Sequence, residues 1–354
     1  MKVFFLRALV VFAAWMSISA HADETGMRTS ASVDMVGSSK VNGESDASDR
    51  LDVREAELLI YGPVDHIFDG LLSLAAHRER GVSVFEVHEA YLGSSKLIPR
   101  SRFKIGQFFL GIGRLNRVHR HEWPFITAPK VHTLFFGHEG VLDSGLEYSY
   151  LAPLPFFLDL TFGLTNGWVY GHAHNEGDKP KKPTHYVRAG TYCSVFGDGG
   201  AQTGLNYLGR TAADGEEMKL IGLDFVAKWR QDQSVLYLLQ SEVWLRYRKP
   251  VGAEEEQSMG AYVYPQHALT SSVLLGTRFD YYSVLSLKDA AGKPIQNADY
   301  GIVPSITYKA SEFSTLRLAY SHELSKRDAR EDRKNQKIEV QATLMMGAHP
   351  AHDF

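Results

Sequence analysis

The clearest pattern of hydrophobic and polar positions lies in the segment KIEVQATLMMG near the end of the chain, where apolar and polar residues alternate with a period of two. Side chains of an extended strand point to opposite faces in turn. The polar face of this segment carries Glu339, Gln341 and Thr343. The pattern predicts a strand with one hydrated and one apolar side. The apolar face carries Ile338, Val340, Ala342, Leu344 and Met346.

The same alternation recurs along most of the chain and predicts about sixteen strands. It is clearest in residues 156–168, 218–230 and 234–248, and weaker in the three segments between residues 51 and 92. A strand needs roughly 9–11 residues to cross a bilayer, and most of these segments are that long. The predicted strands are residues 31–41, 51–62, 66–78, 83–92, 101–111, 144–152, 156–168, 184–196, 201–211, 218–230, 234–248, 259–270, 272–285, 300–310, 314–325 and 336–348.

The polar faces of these segments are rich in charged residues. A sandwich of two sheets buries one face of each sheet and does not need so many charges opposite the apolar side. A membrane barrel with a water-filled interior needs the reverse polarity, apolar outside and polar inside. An aromatic content of 12% also fits many strands. The sequence therefore predicts an all-β fold, a transmembrane antiparallel up-and-down β-barrel over residues 31–354.

The connections between the predicted strands support a barrel. Transmembrane barrels have short turns at one side of the membrane and longer loops at the other. From the fifth strand onward, long and short connections alternate strictly. The long connections are residues 112–143, 169–183, 211–217, 249–258, 286–299 and 326–335, of which the last is a charge-dense run expected to be a solvated loop.

The first residues have the features of a secretion signal. Lys2 and Arg7 precede a short apolar run, and an A-x-A motif ends at Ala22. We predict a signal peptide over residues 1–22 and a flexible N-terminus over 23–30. A retained helical anchor is the alternative, although the apolar run is shorter than the ~20 residues that a helical span needs. A secreted chain of membrane-length strands is expected in the outer membrane of a Gram-negative bacterium.

Composition and the absence of known motifs argue against several classes of function. A formal net charge of −3 is too small to suggest a nucleic-acid partner. The single cysteine, Cys193, cannot form an internal disulfide, so an exported chain needs another source of stability, which a closed sheet provides. No nucleophile elbow, P-loop or H-E-x-x-H motif occurs. We expect no enzyme and no cofactor, with a barrel enzyme or a filled adhesin as a remaining alternative.

Charged residues on the predicted inward faces are candidates for lining a pore. Both signs are present with a slight positive surplus, which predicts weak ion selectivity at most. The candidates are Arg102, Lys104, Glu147, Asp159, Asp224, Lys228, Arg230, Glu242, Arg246, Arg248, Arg278, Asp280, Arg317 and Glu339.

The longest connection, residues 112–143, concentrates cations and imidazoles. A long loop in a compact domain is usually functional. Two interpretations stay open: the loop folds into the lumen and forms a constriction, or it is an outer loop packed by its own aromatic residues. The candidate constriction residues are Arg114, Arg117, His119, Arg120, His121, Lys130, His132 and His138.

A pair of histidines in residues 169–183 is a candidate for metal binding. His172 and His174 share one side of an extended chain. A structural zinc site needs four ligands, and neither cysteines nor a nearby carboxylate set complete one here. Solvated loop histidines are therefore the expected state, and no metal is predicted.

Several motifs resemble a group of Gram-negative outer-membrane barrels. They are FFLGIGRLNRVHRH at residues 108–121, WPF at 123–125, FGHEG at 136–140 and LAPLP at 151–155, together with the terminal Phe354. Members of this group are often labelled as porins or as zinc-regulated TonB-dependent outer-membrane receptors. Phosphate-selective porins are a more distant resemblance. The resemblance implies a porin-like β-barrel that the outer-membrane assembly machinery recognises through Phe354.

These observations predict a porin through which small hydrophilic solutes diffuse passively. The alternative is a substrate-specific uptake barrel, for a metal chelate or phosphate, that uses loop 112–143 for recognition. Outer-membrane lipid is the expected surrounding of the apolar faces. A homotrimer is expected only by analogy with porins, because no feature of the sequence establishes it.

Overall fold

The computed structural model describes most of the region predicted to form the barrel. The predicted signal peptide, the candidates His172 and His174, and Phe354 lie outside the described residues. The described residues are 26–42, 49–79, 82–168, 170, 178–231, 234–286, 288, 292, 295, 297–327 and 330–347.

Sixteen antiparallel strands form one closed barrel, as predicted. Each strand pairs with its neighbours in sequence, and β1 closes the barrel on β16 from the pair Ser30 and Gly347 to the pair Lys40 and Lys337. The strands are β1 (Arg28–Lys40), β2 (Asp52–Pro63), β3 (Asp69–Glu79), β4 (Val82–Ser94), β5 (Ser101–Phe109), β6 (Leu142–Leu151), β7 (Phe157–Thr165), β8 (Thr184–Val195), β9 (Gly199–Thr211), β10 (Glu217–Gln231), β11 (Ser234–Lys249), β12 (Glu256–Ala268), β13 (Val273–Val284), β14 (Asn297–Lys309), β15 (Ser314–Arg327) and β16 (Arg330–Gly347).

The polarity of the barrel is the reverse of a soluble protein. On β16, Ile338 and Leu344 point outward and are 46% and 45% exposed, whereas Glu339 and Gln341 point inward and are 5% and 3% exposed. The predicted assignment of the two faces is therefore correct for this strand. An outer belt of apolar side chains around a polar interior is the arrangement that a bilayer requires.

The largest difference from the expected strand boundaries is at the last hairpin. Residues 326–335 were expected to form a loop, but β15 continues to Arg327 and β16 begins at Arg330. Ladder pairs such as Ser325 with Arg333 extend the sheet into this charged segment. The physical reason is that β16 has 18 residues, more than the ~9–11 needed to cross a bilayer. Its polar end therefore needs no lipid-compatible side chains.

Two β-bulges redirect side chains toward the lumen. Asp34 pairs with Glu55 and Met35 with Val53, so Arg54 is an extra residue in β2. Ser73 pairs with Glu89 and Leu74 with Val87, so His88 is an extra residue in β4. A bulge breaks strict alternation and lets two consecutive residues face the same side. Among the described residues, no helix has the length and hydropathy needed to cross a membrane.

Candidate functional site

The connection between β5 and β6, residues 110–141, closes on itself at its base. The backbone N–H of Leu110 donates to the carbonyl oxygen of Val141 at 3.0 Å. The Nδ2 atom of Asn116 donates to both of those residues, to the carbonyl of Leu110 at 2.8 Å and to the carbonyl of Val141 at 3.0 Å. The base of this segment is thus fixed at the ends of β5 and β6. We call residues 110–141 the constriction loop.

Aromatic residues of the constriction loop pack against the inner wall of the barrel. Phe125 meets Tyr262 of β12 edge to face, with ring centroids 5.8 Å apart, and Phe136 meets Trp244 of β11 at 4.7 Å. All four rings are 2% exposed or less. Buried edge-to-face pairs stabilise such packing beyond the area they bury. The loop therefore lies inside the lumen, which is the first of the two interpretations drawn from the sequence.

Hydrogen bonds connect the constriction loop to strands β9 and β11 of the barrel wall. The backbone N–H of Gly113 donates to Asn206 of β9 at 2.9 Å, and the backbone N–H of Leu115 donates to Glu242 of β11 at 2.8 Å. Gly113 has a φ of 63°, a left-handed conformation that glycine adopts without strain. The loop thus crosses the lumen from β5 and β6 to β9 and β11.

The other side of the loop contacts an acidic wall formed by β2 and β4. The His119 ring lies between two carboxylates, with Nδ1 2.8 Å from Glu57 and Nε2 3.0 Å from Glu89. Arg120 extends toward Glu55, with Nη2 3.6 Å from the nearest carboxylate oxygen. Glu55 and Glu57 face the lumen because β2 places alternate residues inside, and Glu89 faces it because of the bulge in β4. The constriction loop is therefore attached to this wall by ionic contacts.

The surroundings of His119 favour its charged form. Burial disfavours charge on the imidazole, but the carboxylates of Glu57 and Glu89 more than compensate and hold its pKa well above the ordinary value. An imidazolium donates a hydrogen bond from each ring nitrogen, and each nitrogen here faces a carboxylate oxygen. His119 therefore acts as a cation that joins β2 and β4 to the loop.

His132 has the opposite environment. It lies in the short helix α1 (Lys130–Phe136), with its ring 5.0 Å from that of Trp123 and 5.4 Å from that of Phe136. Burial among these rings, together with nearby His138, lowers the pKa of His132 to about 3. His132 is therefore neutral near pH 7 and belongs to the packed interior of the loop, whereas His138 is exposed.

Among the described residues, two of the cavities in the barrel border the loop, and Arg114 lines both. The first, about 180 Å³, is also lined by Arg102, Arg117, Glu147 and Asp159. The second, about 380 Å³, has a different set of charged lining residues. Besides Arg114, they are Lys228, Lys309, Arg317, Glu122 and Glu312.

Most of the charged residues proposed to line the pore make ionic or hydrogen-bonded contacts in the lumen. Lys104 lies 3.3 Å from Glu147, which also accepts from the backbone N–H of Gly111 at 3.0 Å. Asp224 is paired with Arg188, a residue that the sequence did not single out, at 2.8 Å. Such contacts neutralise charges that would otherwise be buried alone.

Other proposed residues support the loop. Arg278 donates to the carbonyl oxygen of Thr127 in the loop and to Asp280 at 3.0 Å. Arg246 donates to the carbonyl oxygen of Leu134 at 2.9 Å, so both arginines bind loop backbone. Glu339 is buried, and Arg230 is exposed near the end of β10. The remaining contacts are Lys130 with Asp299 at 2.8 Å, Arg248 with Glu216 at 2.7 Å and Arg317 with Thr307 at 3.0 Å.

Sequence reasoning missed the acidic wall. The segments that form β2, β3 and β4 alternate weakly, because the bulges at Arg54 and His88 shift the period by one residue. The sequence signal that could have indicated this wall was the pair Glu55 and Glu57, which lie two residues apart and therefore share one face of a strand. The missed residues of this wall and of the adjacent strand β3 are Arg54, Glu55, Glu57, His77, Glu86, His88 and Glu89.

The fold and the loop together define a closed sixteen-stranded barrel with a lumen narrowed by an inserted loop. Several solved structures have a similar fold. The chain is similar to OprB of Pseudomonas putida (TM-score 0.64, 10% identity, covering 94% of this chain and 97% of that one). It is also similar to OmpF of Salmonella typhi, solved with daunomycin (TM-score 0.61, 13% identity, 91% and 99%).

A further solved structure agrees with this fold, and a curated protein is similar in sequence. The outer-membrane channel DcaP of Acinetobacter baumannii has a TM-score of 0.60 at 11% identity, covering 91% of this chain and 96% of that one. A protein of Aquifex aeolicus described as uncharacterized is 28% identical in an alignment of 348 positions that covers 88% of this chain and 72% of that protein. No family model matches the chain. The predicted resemblance to outer-membrane porins is thus confirmed for the fold.

Proposed function

We propose that the protein is an outer-membrane porin through which small hydrophilic solutes diffuse passively, past the constriction loop. The observation that carries this proposal is the reversed polarity of a closed barrel, with apolar side chains outside and charged, cavity-bordering side chains inside. Such a barrel is stable in a bilayer and holds water in its lumen. Porins among the similar structures support the same function and an outer-membrane location.

The lining of the second cavity favours a weak preference for anions. Its charged residues are the four cations Arg114, Lys228, Lys309 and Arg317 against the two anions Glu122 and Glu312. A surplus of one sign in a narrow aqueous passage raises the local concentration of the opposite ion. One of the similar structures is an anion-selective porin from Comamonas acidovorans, with a TM-score of 0.56 at 9% identity.

Planar bilayer recordings test the proposal. The mature chain, refolded in detergent and inserted into a bilayer, should give stepwise conductance that is ohmic in KCl. A barrel filled as in an enzyme or adhesin would insert, as shown by heat-modifiable migration on a gel, and yet pass no current. That result would contradict the porin function.

A substrate-specific uptake barrel is the second candidate. It is favoured by the packed aromatic residues of the constriction loop, which leave cavities of about 180 and 380 Å³ rather than an open bore. In this case phosphate or a metal chelate at micromolar concentration should block the current saturably. A current that stays ohmic and unblocked favours the general pore.

A trimer is also a proposal. One similar structure, OmpT of Vibrio cholerae, is described as a trimer form, with a TM-score of 0.58 at 9% identity. Mass measurement of the detergent-solubilised protein by light scattering would distinguish three chains from one. Recognition of Phe354 by the assembly machinery is tested separately, by deleting that residue and measuring insertion into the outer membrane.

A further inference from the structure

Four side chains near one end of the barrel converge on a small volume between the wall and the constriction loop. One ligand atom from each lies within 4.8 Å of the other three. Three of the residues come from the adjacent strands β3 and β4, and the fourth comes from the end of the constriction loop. We call this set the His/Glu cluster, and it consists of His77, Glu86, His88 and Glu139.

The distances in the His/Glu cluster match those between ligands of a tetrahedral metal ion. The Oε1 atom of Glu86 lies 3.3 Å from Nδ1 of His77 and 3.1 Å from Nε2 of His88. Nε2 of His88 lies 3.6 Å from Oε2 of Glu139. Bonds of about 2.0–2.1 Å to zinc in a tetrahedron place ligand atoms about 3.3–3.4 Å apart.

The β-bulge in β4 makes this convergence possible. Regular alternation from Glu86 would place His88 inside and Glu89 outside, but the extra residue lets both face the lumen. Glu89 then contacts His119, and His88 contacts Glu86 of the cluster. Bulges are often found where a sheet directs a side chain into a functional site.

Neighbouring groups orient one ligand. Arg120 lies 2.9 Å from Oε1 of Glu139, the oxygen that does not face His88. Contacts of this kind hold a metal-binding carboxylate in place and are as characteristic of metal sites as the ligands themselves. Glu86 is the most accessible member, with 18% of its side chain exposed, and gives an ion a path into the site.

A second group, Glu57, His119 and His121, has different chemistry. Both ring nitrogens of His119 lie at hydrogen-bond distance from carboxylates, 2.8 Å from Glu57 and 3.0 Å from Glu89. That geometry is complete as a pair of charge-assisted hydrogen bonds. The His/Glu cluster differs from this group because two imidazole nitrogens, from His77 and His88, face the same carboxylate oxygen of Glu86.

We propose that the His/Glu cluster binds a divalent transition-metal ion such as Zn²⁺, and that the ion fastens the end of the constriction loop to β3 and β4. Two imidazoles and two carboxylates are a donor set suited to zinc, and to nickel or copper, rather than to magnesium or calcium. Because Glu139 is the only member from the loop, metal binding and docking of the loop end are linked.

Calorimetric titration of the chain without an affinity tag, after treatment with a chelator, tests the binding. ZnCl₂ should bind at one ion per chain, and MgCl₂ should not compete. His88→Ala and Glu139→Gln should each weaken zinc binding by about 100-fold, and Arg120→Gln by about tenfold. His185→Ala, at an exposed histidine on β8, is the matched control and should bind as the wild type does.

Two results would overturn the proposal. One is equal zinc affinity in the wild type and in folded His88→Ala. The other is loss of binding only in a His172→Ala/His174→Ala double variant, which would place the ion at the candidates outside the described residues. If His88→Ala fails to fold, Glu86→Gln combined with Glu139→Gln tests the same site with nearly unchanged volume.

Hydrogen exchange tests the link to the loop. Zinc should slow exchange of the backbone amides of residues 137–141 in the wild type and leave it unchanged in Glu139→Gln. X-ray absorption of the zinc-loaded protein should show nitrogen and oxygen neighbours at about 2.0 Å. Binding without any change in exchange at 137–141 would refute the fastening of the loop.

Discussion

The Oε1 atom of Glu242 accepts a hydrogen bond from the backbone N–H of Leu115 at 2.8 Å, and so joins strand β11 to the constriction loop across the lumen. The same carboxylate accepts from Nε1 of Trp244 at 2.8 Å and from the hydroxyl of Tyr262 at 3.1 Å. The side chain of Glu242 thus accepts hydrogen bonds from three donors at the point where the constriction loop contacts β11.

Removal of this carboxylate should loosen the loop. Glu242→Ala leaves three buried donors without their acceptor, at a cost of roughly 1–3 kcal/mol for each one. We expect a larger and noisier single-channel conductance in planar bilayers. Glu242→Gln keeps one acceptor oxygen, so its conductance should lie between those of Glu242→Ala and the wild type. Unchanged conductance in a folded Glu242→Ala barrel would show that the loop does not limit the current.

The buried pair of Arg188 and Asp224 should stabilise the barrel wall. The guanidinium donates to both carboxylate oxygens of Asp224, at 2.8 and 3.2 Å, and Asn206 donates to the same carboxylate at 2.7 Å. Asp224→Ala leaves a buried cation unpaired and should cost about 3–5 kcal/mol of unfolding free energy, measured by denaturant titration. An Arg188→Met/Asp224→Leu double variant should recover most of this loss, since neither charge remains.

Acid should release the constriction loop through His132. Its pKa in the docked loop is about 3, below the ordinary 6.5, so the docked state binds fewer protons than the released state. Docking therefore loses stability as pH falls below about 6.5, by on the order of 3 kcal/mol at pH 4. Conductance should rise between pH 7 and pH 4 in the wild type and rise less in His132→Leu.

The exposed His185 on β8 provides the control for this experiment. His185→Ala should respond to acid as the wild type does, because His185 lies outside the constriction loop. If His132→Leu keeps the full response, the pH sensitivity lies elsewhere in the lumen and the assignment to His132 is wrong.

Arg114 should contribute to anion preference, because it lines both cavities. A unit charge about 4 Å from an ion in water is worth ~1 kcal/mol, and it attracts chloride while it repels potassium, so Arg114→Ser should lower the chloride-to-potassium permeability ratio by up to about thirtyfold. The reversal potential in a KCl gradient measures this ratio. Arg248→Ser is the control, since Arg248 is 41% exposed and paired with Glu216. An equal shift in both variants would argue against a specific role for Arg114.

The sequence predicts the barrel well, because apolar and polar residues must alternate along a strand that faces lipid on one side, and they do so along β16 without interruption. The strands with bulges are the exception. The extra residues Arg54 and His88 break the period in β2 and β4, and the acidic wall was overlooked for that reason. Partners such as Glu242 and Leu115 are 127 residues apart, and no local pattern reports such a contact.

The constriction loop could be located but not oriented from its sequence. Its cations and aromatic residues were recognised, yet the same composition suits an outer loop. The deciding contacts, such as Phe125 with Tyr262, depend on which strand lies opposite the base of the loop after the barrel closes. Closure is a property of the whole sheet, so this information appears only at the level of the complete fold.

The extended hairpin of β15 and β16 has a consequence for engineering. Residues Asp332, Arg333, Lys334 and Asn335 are all exposed and continue the ladder past the length that a bilayer covers. A short foreign peptide joined between Arg327 and Arg330 would extend a two-stranded ladder whose side chains at 332–335 are exposed. The barrel is therefore suited to display such a peptide without disturbing the residues that govern passage.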